Sequence, residues 1–330
     1  VLAVVCPGQG SQSPGMLTPW LELPGVPEQL SSFADASGID LTAHGTTSDA
    51  DTIRDTAVAQ PLIVSASLVA LRAILGDRPA EQVVDVTAGH SVGEFAAAAV
   101  AGVFTDAGAV ALVSRRAASM AEAAAATPTG MSAVVGGTPE DVLTAIETSG
   151  LYPANVNSTG QVVAAGSPEG LAHLAANPPA KSRVIPLQVA GAFHTPFMES
   201  AVEVFQPVAE AWDASDPRLT LLSNADGATY ATVSGAAHGS RSDVLRRLAE
   251  QIVAPVRWDL CQEQLVALGV TGLLELAPGG VLTGLARRAM PGVETVAVKS
   301  PADLDAARDL VARHSSAAGD APAATEGASS

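Results

Sequence analysis

The sequence predicts an α/β protein: a parallel sheet covered on both faces, with a small β-α-β-β-α-β unit of ferredoxin-like order inserted into it. Three observations carry this reading. Strand-length apolar runs alternate with helix-length segments over most of the chain, the pattern of parallel strands joined by crossover helices. The middle of the chain departs from that alternation, because two successive strands there are joined only by a turn at Ser158-Thr159-Gly160. Of the 330 residues, 48 % are hydrophobic and only 15 % charged, which supplies a large core and excludes a disordered chain.

The elements follow in order. Residues 1–6 form a first strand, and a long helix spans residues 58–75. The strand at 83–88 runs directly into Gly89-His90-Ser91-Val92-Gly93, after which an Ala-rich helix continues to about Val100 and another spans 106–125. The inserted unit has strands at 131–135, 152–156, 162–165 and 182–188, with helices at 139–148 and 168–176. The first of these helices carries acids in its first turn, where they complement the helix dipole. Beyond it come a helix at 196–212, a strand at 219–223, and helices at 243–252 and 259–268. A strand at 273–276 leads into Pro278-Gly279-Gly280 and a helix to about Arg288. A strand at 294–298 and a helix at 304–313 close the fold. The predicted division is a large subdomain of residues 1–127 and 190–314, a small one of 128–189, and a tail of 315–330. The tail is Ala, Ser, Gly, Thr and Pro with two acids; it cannot bury a core and is expected to be disordered.

Charge and cysteine usage narrow the function. Lys and Arg total 17 against 34 Asp and Glu, a net charge of −17, so binding to a phosphate backbone is not expected. Cys6 and Cys261 make no disulfide framework and fit a reduced, cytoplasmic setting. The longest apolar run, residues 95–104, has 10 residues, whereas a membrane helix needs about 20. No membrane span is therefore expected. The start has no basic n-region, and a strand beginning at residue 1 suggests a free-standing enzyme. No cluster with metal-ligand spacing is present, so no metal is expected.

Four features can carry chemistry. Gly89-His90-Ser91-Val92-Gly93 matches G-x-S-x-G between a predicted strand and helix, the context of a nucleophile elbow with Ser91 at its tip. An ordinary Gly-rich turn is the plainer reading. A serine nucleophile needs a base. Of six histidines, His90 abuts the serine but leaves the chain in another direction, and His314 borders the tail. His44, His173 and His238 lie in polar stretches and read as surface residues, while His194 follows a strand and precedes a helix. That placement suits either a base or a structural histidine. On the helix at 106–125, Ala109, Leu112, Val113, Arg116 and Met120 share one apolar face, so Arg116 points inward and Arg115 does not. A buried guanidinium pairs either with an internal acid or with a ligand carboxylate. Finally, Pro7-Gly8-Gln9-Gly10-Ser11-Gln12 is a Gly-rich loop at the carboxyl end of a strand, where α/β proteins place ligands. Neither dinucleotide-fingerprint nor P-loop spacing fits it.

These segments, with Ala192-Phe193-His194 and Pro255-Val256-Arg257-Trp258, occur in an order that resembles the malonyl-CoA:acyl carrier protein transacylase family of fatty-acid and polyketide synthesis. The resemblance covers roughly residues 1–300. It implies an α/β-hydrolase-like core with an inserted ferredoxin-like subdomain. It also implies Ser91 as nucleophile, His194 as general base, and the backbone N–H groups of Gln9 and Val92 as oxyanion hole. Arg116 would bind the malonyl carboxylate. The main-chain carbonyl at Gln251 would orient the histidine in place of an Asp. Gln60, Met120 and Phe193 match further pocket positions, with Asn157 and Gln161 facing the cleft from the small subdomain. Two departures stand out: Val92 where the family often has Leu, and Gly280 where some members have Lys.

The implied reaction is ping-pong malonyl transfer from malonyl-CoA through a malonyl-serine to the phosphopantetheine thiol of acyl carrier protein, with no cofactor of its own and a monomer as the default. Fatty-acid and polyketide carriers both remain open. An acidic carrier conflicts with a net charge of −17 unless a local basic patch exists, for which Lys181, Arg183, Arg257, Arg287, Arg288 and Lys299 are candidates. Two other readings compete. A serine esterase or lipase would need a late histidine, and His314 is the only one. A catalytically inactive carrier-docking domain would not need Ser91 and His194.

Overall fold

The computed structural model describes residues 1–315. The predicted tail lies outside them, apart from Ser315. Among the described residues ten strands form two sheets. In chain order they are β1 (Leu2–Cys6), β2 (Val86–Gly89), β3 (Gly130–Gly136), β4 (Tyr152–Ser158), β5 (Gln161–Gly166), β6 (Ser182–Pro186), β7 (Thr220–Leu221), β8 (Val256–Arg257), β9 (Gly272–Glu275) and β10 (Glu294–Ala297).

The first sheet has the order β10-β9-β1-β2-β7, and every pairing in it is parallel. Its centre, β1, is buried along its whole length. The two-residue period of a strand divides those side chains between two cores. Leu2, Val4 and Cys6 face a layer containing the helices Thr56–Leu75, Asp106–Ala126 and Leu304–His314, whereas Ala3 and Val5 face the layer of Trp258, Leu265 and Leu285. Each fully buried Val or Leu contributes roughly 1.5–3 kcal/mol of apolar transfer. That explains why this strand needs no polar alternation.

The second sheet is mixed, with the order β6-β3-β5-β4-β8. Its first four strands pair antiparallel. Here the alternation decides where the site can be. Val134, Val162 and Ala164 pack under the helices Pro139–Thr148 and Pro168–Ala176 with Val142, Ile146 and Leu174. Met131, Ala133 and Val163 point the other way and line a cavity between the two sheets.

Several expectations are corrected. The sheet of the small unit has a fifth strand that no local pattern announced: β8 joins β4 in parallel, Asn155 opposite Val256. Helices at Val26–Ser37, Leu41–Thr46 and Tyr230–Ser234 were not anticipated. The strand expected from residue 83 begins at Val86, because Ala80–Gln82 form a 3-10 turn and the Asp85 carboxylate accepts the Leu2 N–H. The helix expected at 196–212 divides into a 3-10 turn, Pro196–Met198, and the helix Glu199–Glu210. The expected absence of any membrane-length apolar segment is corrected as well. Thr56–Leu75 is long and apolar enough to span a membrane, although Gln60, Ser65 and Ser67 interrupt its apolar run; in this fold 83 % of its apolar 18-residue window is buried. Of the polar histidines, His173 is exposed, but His44 and His238 are half-buried.

The close approach of β1, β2 and the helix Gly93–Val100 rests on two glycines. A Cβ at Gly93 would stand 2.2 Å from the Cys6 carbonyl oxygen, and one at Gly89 would stand 2.0 Å from the Gly93 carbonyl carbon. Both neighbours are backbone and cannot swing aside. Gly93→Ala is expected to lower stability in urea unfolding by about 1–3 kcal/mol or more; a midpoint equal to that of the wild type would contradict the packing described.

Candidate active site

The carboxyl ends of β1 and β2 lie side by side, and the loops leaving them meet at one mouth. Gly89 closes β2, and the His90 N–H donates to the Cys6 carbonyl at 3.0 Å, drawing the turn across the end of β1. Ser91 sits at the tip with φ +52°, in the left-handed region that non-glycine residues rarely adopt. The turn is thus a strained strand-to-helix elbow, and the G-x-S-x-G spacing is the packing condition for it.

Ser91 Oγ lies 2.7 Å from His194 Nε2. The ring's other nitrogen, Nδ1, is 2.7 Å from the main-chain carbonyl of Gln251. A carbonyl only accepts, so Nδ1 carries the proton and Nε2 is left to accept from the serine hydroxyl. His194 also has a left-handed backbone, φ +61°, and its own N–H donates to the Ile252 carbonyl at 3.1 Å. Ring and backbone are therefore both fastened to the segment just past the helix Arg241–Glu250. Burial, reinforced by the positive charge of Arg116, lowers the His194 pKa to about 3, so the imidazole is neutral at pH 7.

Arg116 is fully buried while its neighbour Arg115 is exposed, as the helical face predicted. No acid among the described residues pairs with it directly. Its Nη1 donates to Gln60 Oε1 at 2.7 Å and its Nη2 to Gln251 Oε1 at 2.7 Å, while Nε has no partner among the described residues. The guanidinium lies 5.6 Å from the centre of the Phe95 ring. Burial lowers its pKa to about 10, which still leaves it charged at neutral pH. Arg116 stands behind the cavity wall, of which Gln60 and Met120 are part.

That cavity, about 230 Å³, gathers most of the residues singled out in the sequence. Gln9, Gln60, Met120, Asn157, Gln161 and Phe193 line it together with Ser91 and His194. Neither the Gln9 nor the Val92 N–H has a partner among the described residues, which leaves both free to donate. Asn157 Oδ1 is 2.8 Å from His90 Nε2, linking the small sheet to the elbow. His314 is engaged elsewhere, with Thr271 and Glu294 at the opposite end of the parallel sheet, so the order an esterase would need is not built.

Two residues of the site carried no separate signal in the sequence. Glu94, the residue after the G-x-S-x-G segment, is buried and accepts the Asn224 N–H at 2.7 Å and the Gln251 side-chain amide. Burial raises its pKa to about 8 against the pull of those donors and of Arg116. Asn224 lies in an unremarkable Ser-Asn-Ala stretch; only the fold brings it to the elbow.

Holding His194 neutral has a cost at acid pH. Its ordinary pKa is 6.5, so as pH falls from 6.5 toward 3 the unfolded chain binds a proton that the folded protein refuses, and stability declines. Glu94 acts in the opposite sense between 4.5 and 8, so the comparison must be made against a variant. The pH dependence of urea unfolding between 6.5 and 4 is expected to lose part of its acid decline in His194→Gln; identical slopes would contradict the buried neutral ring.

Comparison with known proteins identifies the family of the chain. The family described as acyl transferase domain matches residues 3–298. The malonyl CoA-acyl carrier protein transacylase of Mycobacterium tuberculosis is 47 % identical over 315 residues, covering 94 % of this chain and 100 % of the relative. The protein of the same name from Bacillus subtilis is 33 % identical, covering 93 % and 96 %. A crystal structure of MCAT from Mycobacterium tuberculosis superposes with a TM-score of 0.87 at 48 % identity, over 93 % of this chain and 99 % of that one. A malonyl-transacylase solved in complex with its type II PKS acyl-carrier protein does so with a TM-score of 0.82 at 29 % identity, again over 93 % and 99 %. The chain belongs to the acyl transferase domain family, in the company of the malonyl-CoA:acyl carrier protein transacylases.

Proposed function

We propose that the protein transfers the malonyl group of malonyl-CoA to the phosphopantetheine thiol of an acyl carrier protein, by way of a malonyl ester on Ser91. The observation that carries the reading is a serine hydroxyl 2.7 Å from a neutral, oriented imidazole in a site whose buried cation is Arg116. The names of the relatives and the carrier-protein complex of one structural neighbour support it. The parallel sheet is read as an α/β-hydrolase-like core formed by residues 1–127 and 190–314. Residues 128–189 are read as a ferredoxin-like subdomain, for which the antiparallel order β6-β3-β5-β4 argues. The setting is taken as cytoplasmic, and one copy of the chain supplies every residue invoked.

In the first half-reaction the Ser91 oxygen bonds to the thioester carbon as its proton passes to His194 Nε2. The oxyanion that forms is received by the N–H groups of Gln9 and Val92, each worth on the order of 3 kcal/mol in such a role. The carbon–sulfur bond then breaks and the CoA sulfur takes the proton from His194. The carrier thiol repeats these steps in the reverse direction. The acyl carriers are CoA and the partner's phosphopantetheine, so the chain's own residues need no further group. Arg116 is the reader of the malonyl carboxylate: its present acceptors, Gln60 and Gln251, are neutral amides, and a carboxylate would bind it more strongly. Phe193, beside the base, narrows the pocket against an α-methyl branch. Among the basic candidates Arg257 is paired with Asp259, whereas Lys299 is exposed and its Cε stands 3.2 Å from where a Cβ on Gly280 would lie. A cation thus covers the position where some relatives carry Lys.

The direct test is intact-protein mass after incubation with malonyl-CoA. A gain of about 86 Da is expected on the wild type and none on Ser91→Ala; an adduct on both would refute the serine ester. Arg116→Ala is expected to lower malonyl transfer roughly 10²-fold or more and acetyl transfer far less. Equal losses for the two acyl groups would remove Arg116 from the role of carboxylate reader.

A further inference from the structure

Ser91 holds a left-handed backbone on which the placement of its hydroxyl depends, and side chains from other parts of the fold grip the peptide groups on both sides of it. The Asn224 side chain spans the elbow: its Oδ1 accepts the Ser91 N–H at 2.7 Å, and its Nδ2 donates to the Gly89 carbonyl at 2.7 Å. On the other side of the residue, the Gln251 Nε2 donates to the Ser91 carbonyl at 3.2 Å. Glu94 lies beneath both. One carboxylate oxygen takes the Asn224 N–H and the other takes the Gln251 amide. All three side chains are 4 % exposed or less. None of these bonds touches an acyl group. Each serves to fix one residue that would otherwise relax out of a conformation costing about 1–3 kcal/mol.

We propose that Asn224, seated by Glu94, is a positioning residue for the nucleophile: it clamps the elbow so that Ser91 Oγ stays in line with His194. Deleting the Asn224 amide removes the acceptor for Ser91 N–H and the donor for Gly89 at once, and the tip residue gains freedom to rotate. Misplacement of a reacting atom by about 1 Å costs on the order of 10²-fold in rate. Because the clamp acts on the serine and not on the acyl group, its loss must fall equally on every electrophile. That signature separates it from Arg116, whose loss is selective for malonyl.

The inference rests on Ser91 as nucleophile, so the experiment includes a reagent that does not depend on malonyl recognition. Wild type, Asn224→Ala and Glu94→Gln are compared in three measurements: kcat and KM for malonyl transfer, kcat for acetyl transfer, and the rate of Ser91 modification by a sulfonyl fluoride, with folding followed by circular dichroism and urea unfolding. Asn224→Ala is expected to fold, to keep KM for malonyl-CoA within about twofold of wild type, and to lose on the order of 10²-fold in kcat for both acyl groups and in sulfonylation. Glu94→Gln preserves volume and keeps an oxygen for the Asn224 N–H but sets an NH₂ group against the Gln251 amide, so a smaller loss of the same pattern is expected. If Asn224→Ala does not fold, Asn224→Ser takes its place with the same expectation. Wild-type sulfonylation in a folded Asn224 variant, or a loss confined to KM or to malonyl alone, would overturn the clamp. If the wild type is sulfonylated rapidly at Ser91 yet transfers no malonyl, the proposed substrate is wrong while the clamp can still be read from the sulfonylation rates.

Discussion

Gln251 is the joint of this molecule. Its main-chain carbonyl fixes the tautomer of His194, and its side-chain amide joins Arg116 on one side to Glu94 and the Ser91 carbonyl on the other. An amide has one accepting and one donating end, and here each end meets its complement: the oxygen faces a guanidinium, the nitrogen faces oxygens. A flipped amide would place its NH₂ against a buried cation and its oxygen against the Ser91 carbonyl oxygen. The plane of Gln251 is therefore set, and with it the spacing between the cation and the imidazole.

Such an arrangement keeps three demanding groups, Glu94, Arg116 and His194, compatible in a buried setting. A buried guanidinium beside an imidazole opposes protonation of the ring, which favours a base over a cation at neutral pH. The same guanidinium offsets part of the burial penalty on Glu94. Two left-handed backbones, at Ser91 and His194, bring the serine hydroxyl and the imidazole together, and both are residues without the conformational freedom of glycine. Their strain is maintained by the side-chain and main-chain hydrogen bonds that Asn224, Gln251 and Ile252 make to their peptide groups.

Much of this was legible in the sequence, for identifiable reasons. G-x-S-x-G could be read because it states a packing condition: glycines at 89 and 93 are the residues without a Cβ where backbone meets backbone. Arg116 could be placed inward because the 3.6-residue period is strict along a helix of 21 residues. The small unit declared itself by its order of elements. What could not be read shares one property, namely dependence on contacts between distant segments. β8 is only Val256–Arg257 and becomes a strand because β4 offers an edge. Asn224 reaches the elbow across 133 positions of the sequence. The apolar run at 56–75 was undercounted because Gln60, Ser65 and Ser67, which break it in the sequence, are all buried inside the helical core. The alternative pairing of Arg116 with an internal acid gave way to two glutamine carbonyls, a solution that burial statistics for charged groups do not suggest.

If Gln251 couples the cation to the machinery that attacks, then removing its side chain and removing Arg116 are not independent events. The decisive measurement is a double-mutant cycle on the rate of malonyl transfer with Gln251→Ala, Arg116→Ala and the double variant, the main-chain carbonyl that orients His194 being retained throughout. The account predicts that the double variant is faster than the product of the two single losses implies, by a coupling of about 1 kcal/mol or more. Strictly multiplicative losses would mean that the two groups act separately, and would contradict the account at its centre.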